Sequence, residues 1–170
     1  MRWLLALALA GCGAPPPASD WERQQGAKLT AVEQPVTLPP FPEQRNLVGF
    51  DLIAPTDMRF FIDAASLTVG GGVVRYVVVA RSPQGAENVS YEALRCPGEY
   101  RVYALGRPDG TWLGQGGGWR TIPRLMDRSV HYSLARNYFC PRNIPVHSAR
   151  EAVEALRDGG HALLKHYSPR

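Results

Sequence analysis

The stretch from Val73 to Trp112, VVRYVVVARSPQGAENVSYEALRCPGEYRVYALGRPDGTW, restricts the fold more than any other part of the chain. It holds β-rich runs divided by two turn signals, Ser82-Pro83-Gln84-Gly85 and Arg107-Pro108-Asp109-Gly110, and so reads as the antiparallel centre of one small sheet. Asn46 to Ile53 and Met58 to Ile62 read as earlier strands separated by Ala54-Pro55-Thr56-Asp57. Leu67 to Val69 and Val73 to Arg81 flank Gly70-Gly71-Gly72, a tight hairpin signal because glycine tolerates positive φ. The triple glycine lacks the Gly-Lys-Ser/Thr that would make it a phosphate loop. Val89 to Arg95, Tyr100 to Leu105 and Thr111 to Leu113 continue the meander, with Val102 and Ala104 alternating against Arg101, Tyr103 and Leu105. Gly114 to Gly118 reads as a mobile loop before Trp119.

The pattern changes period after Pro123. Leu125, Met126, Val130, Leu134 and Tyr138 recur at three- and four-residue spacing, which predicts a helix ending near Cys140-Pro141. Ser148 to Arg157 predicts a second: Ser148 and Glu151 form a capping box, Ala149, Ala152, Val153 and Leu156 share a face, and Gly159-Gly160 stops it. The closing HALLKHYSPR reads as a last strand or a frayed tail. The expected fold is therefore α+β, a small antiparallel meander with one or two C-terminal helices packed on one side.

A chain of 170 residues, 45% hydrophobic, has room for one domain with a real core, expected over residues 46–170. Charge is uneven: residues 12–100 carry 7 basic and 10 acidic side chains, residues 101–170 carry 11 and 5. That asymmetry permits an anionic partner for the later half, or is an ordinary solvated surface. Nucleic acid is not expected as a partner.

Residues 1–11, MRWLLALALAG, have a positive residue, an apolar run and small residues ahead of a cysteine, the layout of a secretory signal. Leu9-Ala10-Gly11-Cys12 resembles a bacterial lipobox, which implies acylation of Cys12, with each buried methylene contributing about 0.8 kcal/mol to the anchor. Gly13 stands where such proteins carry Asp for inner-membrane retention, so the resemblance implies the periplasmic face of the outer membrane. A plain secretory signal with an unmodified Cys12 is the alternative. Residues 12–45 follow as a tether: prolines 15, 16, 17, 35, 39, 40 and 42 favour an extended, semi-rigid chain. Alternatively, Val36 to Phe41 lies along the domain surface, pinned by Trp21, Leu38 or Phe41.

With Cys12 assigned to acylation, Cys96 and Cys140 remain as an even pair in an oxidising compartment, expected to be a structural disulfide rather than a redox or metal site. His131, His147, His161 and His166 form no ligand-spaced pair, and no metal or cofactor is expected. Asp127 and His131 are four apart on the expected helix and can meet there, without a recognisable nucleophile. Arg120, Arg124 and Arg128 recur every four residues and, with Arg136 and Arg142, form a candidate anion-binding stripe or an exposed basic face. Asp63, Glu87, Glu92 and Asp109 are carboxylates near the central sheet, and Asn88-Val89-Ser90 fits a glycosylation pattern but falls at a strand start.

FFIDAASLTVG, VVRYVVVARSPQGAENVSYEALRC, YRVYALGRPDGTW, NYFCP and EAVEALRDGG, in that order, resemble the cryptic neisserial protein-like family of bacterial envelope proteins. The resemblance covers Phe60 to Gly160 and implies one compact exported domain; it supplies no catalytic residues. The expected function is that of a non-catalytic accessory or binding lipoprotein of the envelope, with a protein or polyanionic partner. A hydrolase of cell-wall or glycan material is the alternative, and a structural role a third.

Overall fold

The structure is a computed structural model that describes residues 36–123 and 129–165. Among them, one seven-stranded antiparallel sheet carries the fold, with helices after it in the chain. The strands are β1 (Leu47–Phe50), β2 (Arg59–Gly70), β3 (Val73–Arg81), β4 (Glu87–Arg95), β5 (Glu99–Gly106), β6 (Trp112–Gly114) and β7 (Arg120–Thr121). The first six are neighbours in chain order, and β7 joins β5 beside β6. The α+β meander read from the sequence is the observed fold.

The turn chemistry acts as expected. Gly70 pairs with Val73, so Gly71 and Gly72 alone make the β2–β3 turn, both at positive φ (59° and 76°). In the Arg107–Gly110 turn, the Asp109 carboxylate accepts from the Thr111 amide (3.0 Å) and hydroxyl (2.7 Å), which holds Asp109 below the usual carboxylate range.

Three features of the sheet depart from the sequence reading. The two short runs 58–62 and 67–69 are one long strand, β2, because residues 64–67 bulge out of the ladder while pairing continues on either side. Ser66 makes this possible: its hydroxyl donates to the Asp63 carbonyl (2.8 Å) and accepts from the Val77 amide (2.8 Å), replacing a lost ladder bond. Asp63, buried at the start of the bulge, accepts from the Ala65 amide (3.2 Å); burial nonetheless raises its pKa. The second departure is in β5. Tyr91 pairs with Ala104 but Glu92 with Val102, so Tyr103 is an inserted residue and Val102 and Ala104 fall on opposite faces. The third is β7, a two-residue strand that no sequence pattern announces. It pairs with one end of β5 and β6 with the other; between them the Gln115 amide donates to the carbonyl of the inserted Tyr103 (2.8 Å), and residues 116–119 cross the bulged middle outside the described ladder.

Helix α1 (Val130–Ser133) is capped by Ser129, whose hydroxyl accepts from the Tyr132 amide, and runs on as a π-helical turn over Leu134–Phe139. It ends at Cys140 as expected; the expected first turn at residues 125–128 lies outside the described residues. Helix α2 (Ala149–Arg157) has Ser148 as N-cap, its hydroxyl accepting from the Glu151 amide (3.1 Å), and Gly159 past its end at φ 68°. The closing segment is neither strand nor frayed tail where described but a short helix, α3 (Ala162–Lys165).

The helices cover one face of the sheet. Val74, Tyr76, Val78 and Leu94 pack there against Leu134, Tyr138, Phe139, Ala152, Ala155 and Leu156. Tyr138 also ties down the segment leaving β1: its hydroxyl accepts from the Asp51 amide (3.2 Å) and donates to the Asp51 carbonyl (3.1 Å), while Ser133 Oγ accepts from the Ile53 amide (3.0 Å). The Cys96–Cys140 disulfide is formed and joins the end of β4 to the end of the π turn. The opposite face buries Val77, Val79, Val89 and Tyr91, so β3 is apolar on both sides from Tyr76 to Ala80, which accounts for its YVVVA run.

The compact unit containing the sheet starts at Thr37 and so takes in part of the proline-rich stretch. Of the two readings of the proline-rich stretch, its described part takes the second: Phe41 packs on Trp112 (centroids 5.2 Å apart), and Trp112 Nε1 donates to the Pro39 carbonyl (2.9 Å). Gly106 lets this happen, since a Cβ there would sit 2.8 Å from Val89 Cβ and 2.9 Å from the Phe41 ring. Leu38 stays 39% exposed, and Trp21 lies outside the described residues.

Candidate functional site

Glu92 projects from β4 into the helix-covered face and is 6% exposed. A buried carboxylate needs partners, and it has them: Ser90 Oγ donates to Oε1 (2.6 Å) and His131 Nε2 lies 2.8 Å from Oε2. The Tyr100 ring, from β5, stacks on the His131 imidazole at 3.7 Å between centroids. Tyr76, opposite Glu92 on β3, is fully buried; burial first, then the neighbouring Glu92 charge, pushes its pKa well above the usual phenol value. Its hydroxyl makes no hydrogen bond of good geometry with any described residue. The sequence singles out Glu92 and His131 separately; the fold brings them together across 39 positions. Asp127, the partner expected for His131, lies outside the described residues.

A second pair closes the C-terminal end. His161, 5% exposed, accepts the Leu163 amide at Nδ1 (3.2 Å), which leaves the proton on Nε2 to donate to Glu151 Oε1 (2.8 Å). Glu151 Oε2 accepts from the His147 amide (2.6 Å), one residue before the N-cap, so the capping box is completed one position early. Burial works against ionisation of Glu151, but the bonds from His147 and His161 outweigh it and lower its pKa.

Neither pair lines any of the grooves formed by the described residues and given below. The described residues form a shallow depression of about 690 Å³ between the β1–β2 connection and the end of α2, with Arg59 and Arg157 among its lining. Beside the disulfide lie two adjoining grooves. One, of about 620 Å³, runs between Pro97, Gly98, Ile122, Tyr132 and Arg136; the other, of about 380 Å³, lies between Arg136, Cys140, Arg142, Leu163 and Leu164. Arg136 and Asn143 line both. Arg136 and Arg142 are exposed and make no ion pair or hydrogen bond with any described residue.

Arg120 stands exposed on β7 and lines a separate dimple of about 210 Å³ with the glycine cluster; Arg124 and Arg128 lie outside the described residues. Cys12 and residues 1–11, read above as a signal, lie outside them too. Among the carboxylates singled out, Glu87 binds Arg81 at the β3–β4 turn, and Asp63 and Asp109 serve the backbone. No three His, Cys, Asp or Glu among the described residues stand together as a metal-binding group. No helix among the described residues is long and apolar enough to cross a membrane. Sequence reasoning missed Tyr100 and Trp112; an aromatic placed opposite another element's polar or proline residue has no local signal.

Fold and site together define a disulfide-closed α+β domain whose buried acids are satisfied internally and in which Arg136 and Arg142, with no partner among the described residues, stand beside grooves. The chain belongs to the CNP1-like family, whose sequence model matches residues 27–157. This match contains most of the resemblance read from Phe60 to Gly160 and extends it toward the N-terminus. No curated protein and no solved structure matches the chain.

Proposed function

We propose that this protein is a binding or accessory protein of the bacterial cell envelope, held at the periplasmic face of the outer membrane by acyl chains on Cys12. The anchor rests on the Leu9-Ala10-Gly11-Cys12 sequence. The observation that carries the binding role is the contrast among charged groups. Glu92, Asp63 and Glu151 are all engaged in holding the fold, whereas Arg136 and Arg142 face grooves with no described partner. Unengaged cations beside a groove suit recognition of an anion. The hydrolase alternative needs the Glu92–His131 pair to meet substrate, and none of the grooves above is lined by either residue.

Crosslinking in intact cells, followed by purification and mass spectrometry, tests this reading by comparing the natural chain with Cys12→Ser. The natural chain is expected in the outer-membrane fraction with a reproducible envelope partner, and Cys12→Ser in the soluble periplasm without it. A Cys12→Ser chain that stays on the membrane and keeps its partner overturns the anchored reading.

A further inference from the structure

We infer that the adjoining grooves at the disulfide bind an anionic amphiphile, a phosphate-bearing headgroup with an acyl chain, using Arg136 and Arg142 for the head. This names the ligand class of the binding reading above and rests on it. Two arginines with no described partner supply the charge complementarity, and Arg136 borders both grooves. Beside them the surface is apolar: Leu163 is 46% exposed and lines the smaller groove with Leu164, while Ile122 and Tyr132 line the larger. A chain laid over Leu163 would remove its apolar surface from water, which favours binding. A peptide fits less well, since it would ask for backbone donors and acceptors, and the π turn beside the grooves uses its own: the Cys140 amide donates to the Ala135 carbonyl (3.2 Å). The larger groove also has Glu99 in its lining, but that carboxylate is paired with Arg95 (3.6 Å), whereas exposed Asp51 in the depression near α2 has no described ion pair and opposes an anion.

The test is calorimetric titration of the full chain carrying Cys12→Ser with dodecyl phosphate below its micelle-forming concentration, beside dodecyl maltoside and inorganic phosphate. One saturable site is expected for dodecyl phosphate, at least about tenfold tighter than for the neutral detergent, with no saturable binding of inorganic phosphate. Arg136→Gln and Arg142→Asn should each weaken it about tenfold, and Arg59→Gln, in the separate depression that shares no lining residue with the grooves, should leave it unchanged. Asn suits position 142, whose φ is 54°. Equal binding of the neutral detergent, equal binding of inorganic phosphate, or indifference to both groove substitutions would each overturn the assignment. Because this uses purified chain, its failure leaves the membrane fractionation above untouched, and the reverse also holds.

Discussion

On one face of the sheet, Tyr76, Val78 and Leu94 lie under helices contributed by residues 130–157; on the other, Val79 and Val89 lie near a proline-rich strap pinned by Phe41 and Trp112. The helical cover brings buried polar groups with it and fastens them: Glu92 to His131, Tyr138 to Asp51, Cys140 to Cys96. The described contacts across the second face are mostly ring packing and arginine stems, with Arg81 over Phe61 and Arg101 over Tyr103 at about 5 Å; its directional bonds to the preceding segment are those from Trp112 Nε1 to the Pro39 carbonyl (2.9 Å) and from exposed Arg81 to Gln44 Oε1 (3.0 Å). Directional bonds fix a cover in one register, whereas ring packing tolerates sliding; the helical face should therefore lose more when a single link is cut.

The largest expected effect is on that face. The double change Cys96→Ala with Cys140→Ala opens a closure between positions 44 apart and should lower stability by about 4 kcal/mol in urea titration. A loss under about 1 kcal/mol would mean that the helices hold themselves to the sheet. Next comes the second face: Gly106→Ala forces a Cβ against Val89 and Phe41 and should cost about 2–3 kcal/mol in thermal unfolding. Combined with Phe41→Ala, much of that penalty should vanish; additive penalties would show that Val89 alone resists the methyl group. Glu92→Ala strands the Ser90 hydroxyl and the His131 imidazole and should cost about 2 kcal/mol, with Glu92→Gln milder. Equal losses in the two variants would make volume, not hydrogen bonding, the role of Glu92.

The smallest effect is a pH dependence at the C-terminal clasp. The folded pKa of Glu151 is lowered, so its contribution is fully present above the unfolded value of about 4.3 and disappears as pH falls through the folded pKa. Unfolding followed from pH 6 downward should show a shallower acid slope for Glu151→Gln than for the natural chain; identical slopes would remove Glu151 from the acid response.

Strands β3, β4 and β5 and both hairpin glycines are readable in the sequence because period-two patterns and turn residues are local, whereas the two-residue β7 is not. The Ser148 cap and the Gly159 stop were readable for the same reason. The β2 bulge was not, because it depends on the Ser66 hydroxyl meeting an amide on the next strand, 11 positions away. Nor was the placement of Val102 and Ala104 on opposite faces, since one inserted residue reverses every side chain beyond it. Of the site, the sequence supplied the cysteine pair and the individual acids, histidines and arginines. The Glu92–His131 contact and the pairing of Arg136 with Arg142 beside grooves arise only once α1 docks on β4 and β5.

Because β1 to β6 pair in chain order, the sheet can assemble by closing one short loop after another, with little entropy lost at each step. Its helical cover cannot. The bonds from Tyr138 to Asp51 and from Ser133 to Ile53 span 87 and 80 positions, and they form only after the intervening strands have brought their ends together. The molecule thus joins a half of neighbour-to-neighbour contacts to a half held by distant ones, and residues 130–139, which carry Arg136 and His131, are expected to dock last as the domain folds.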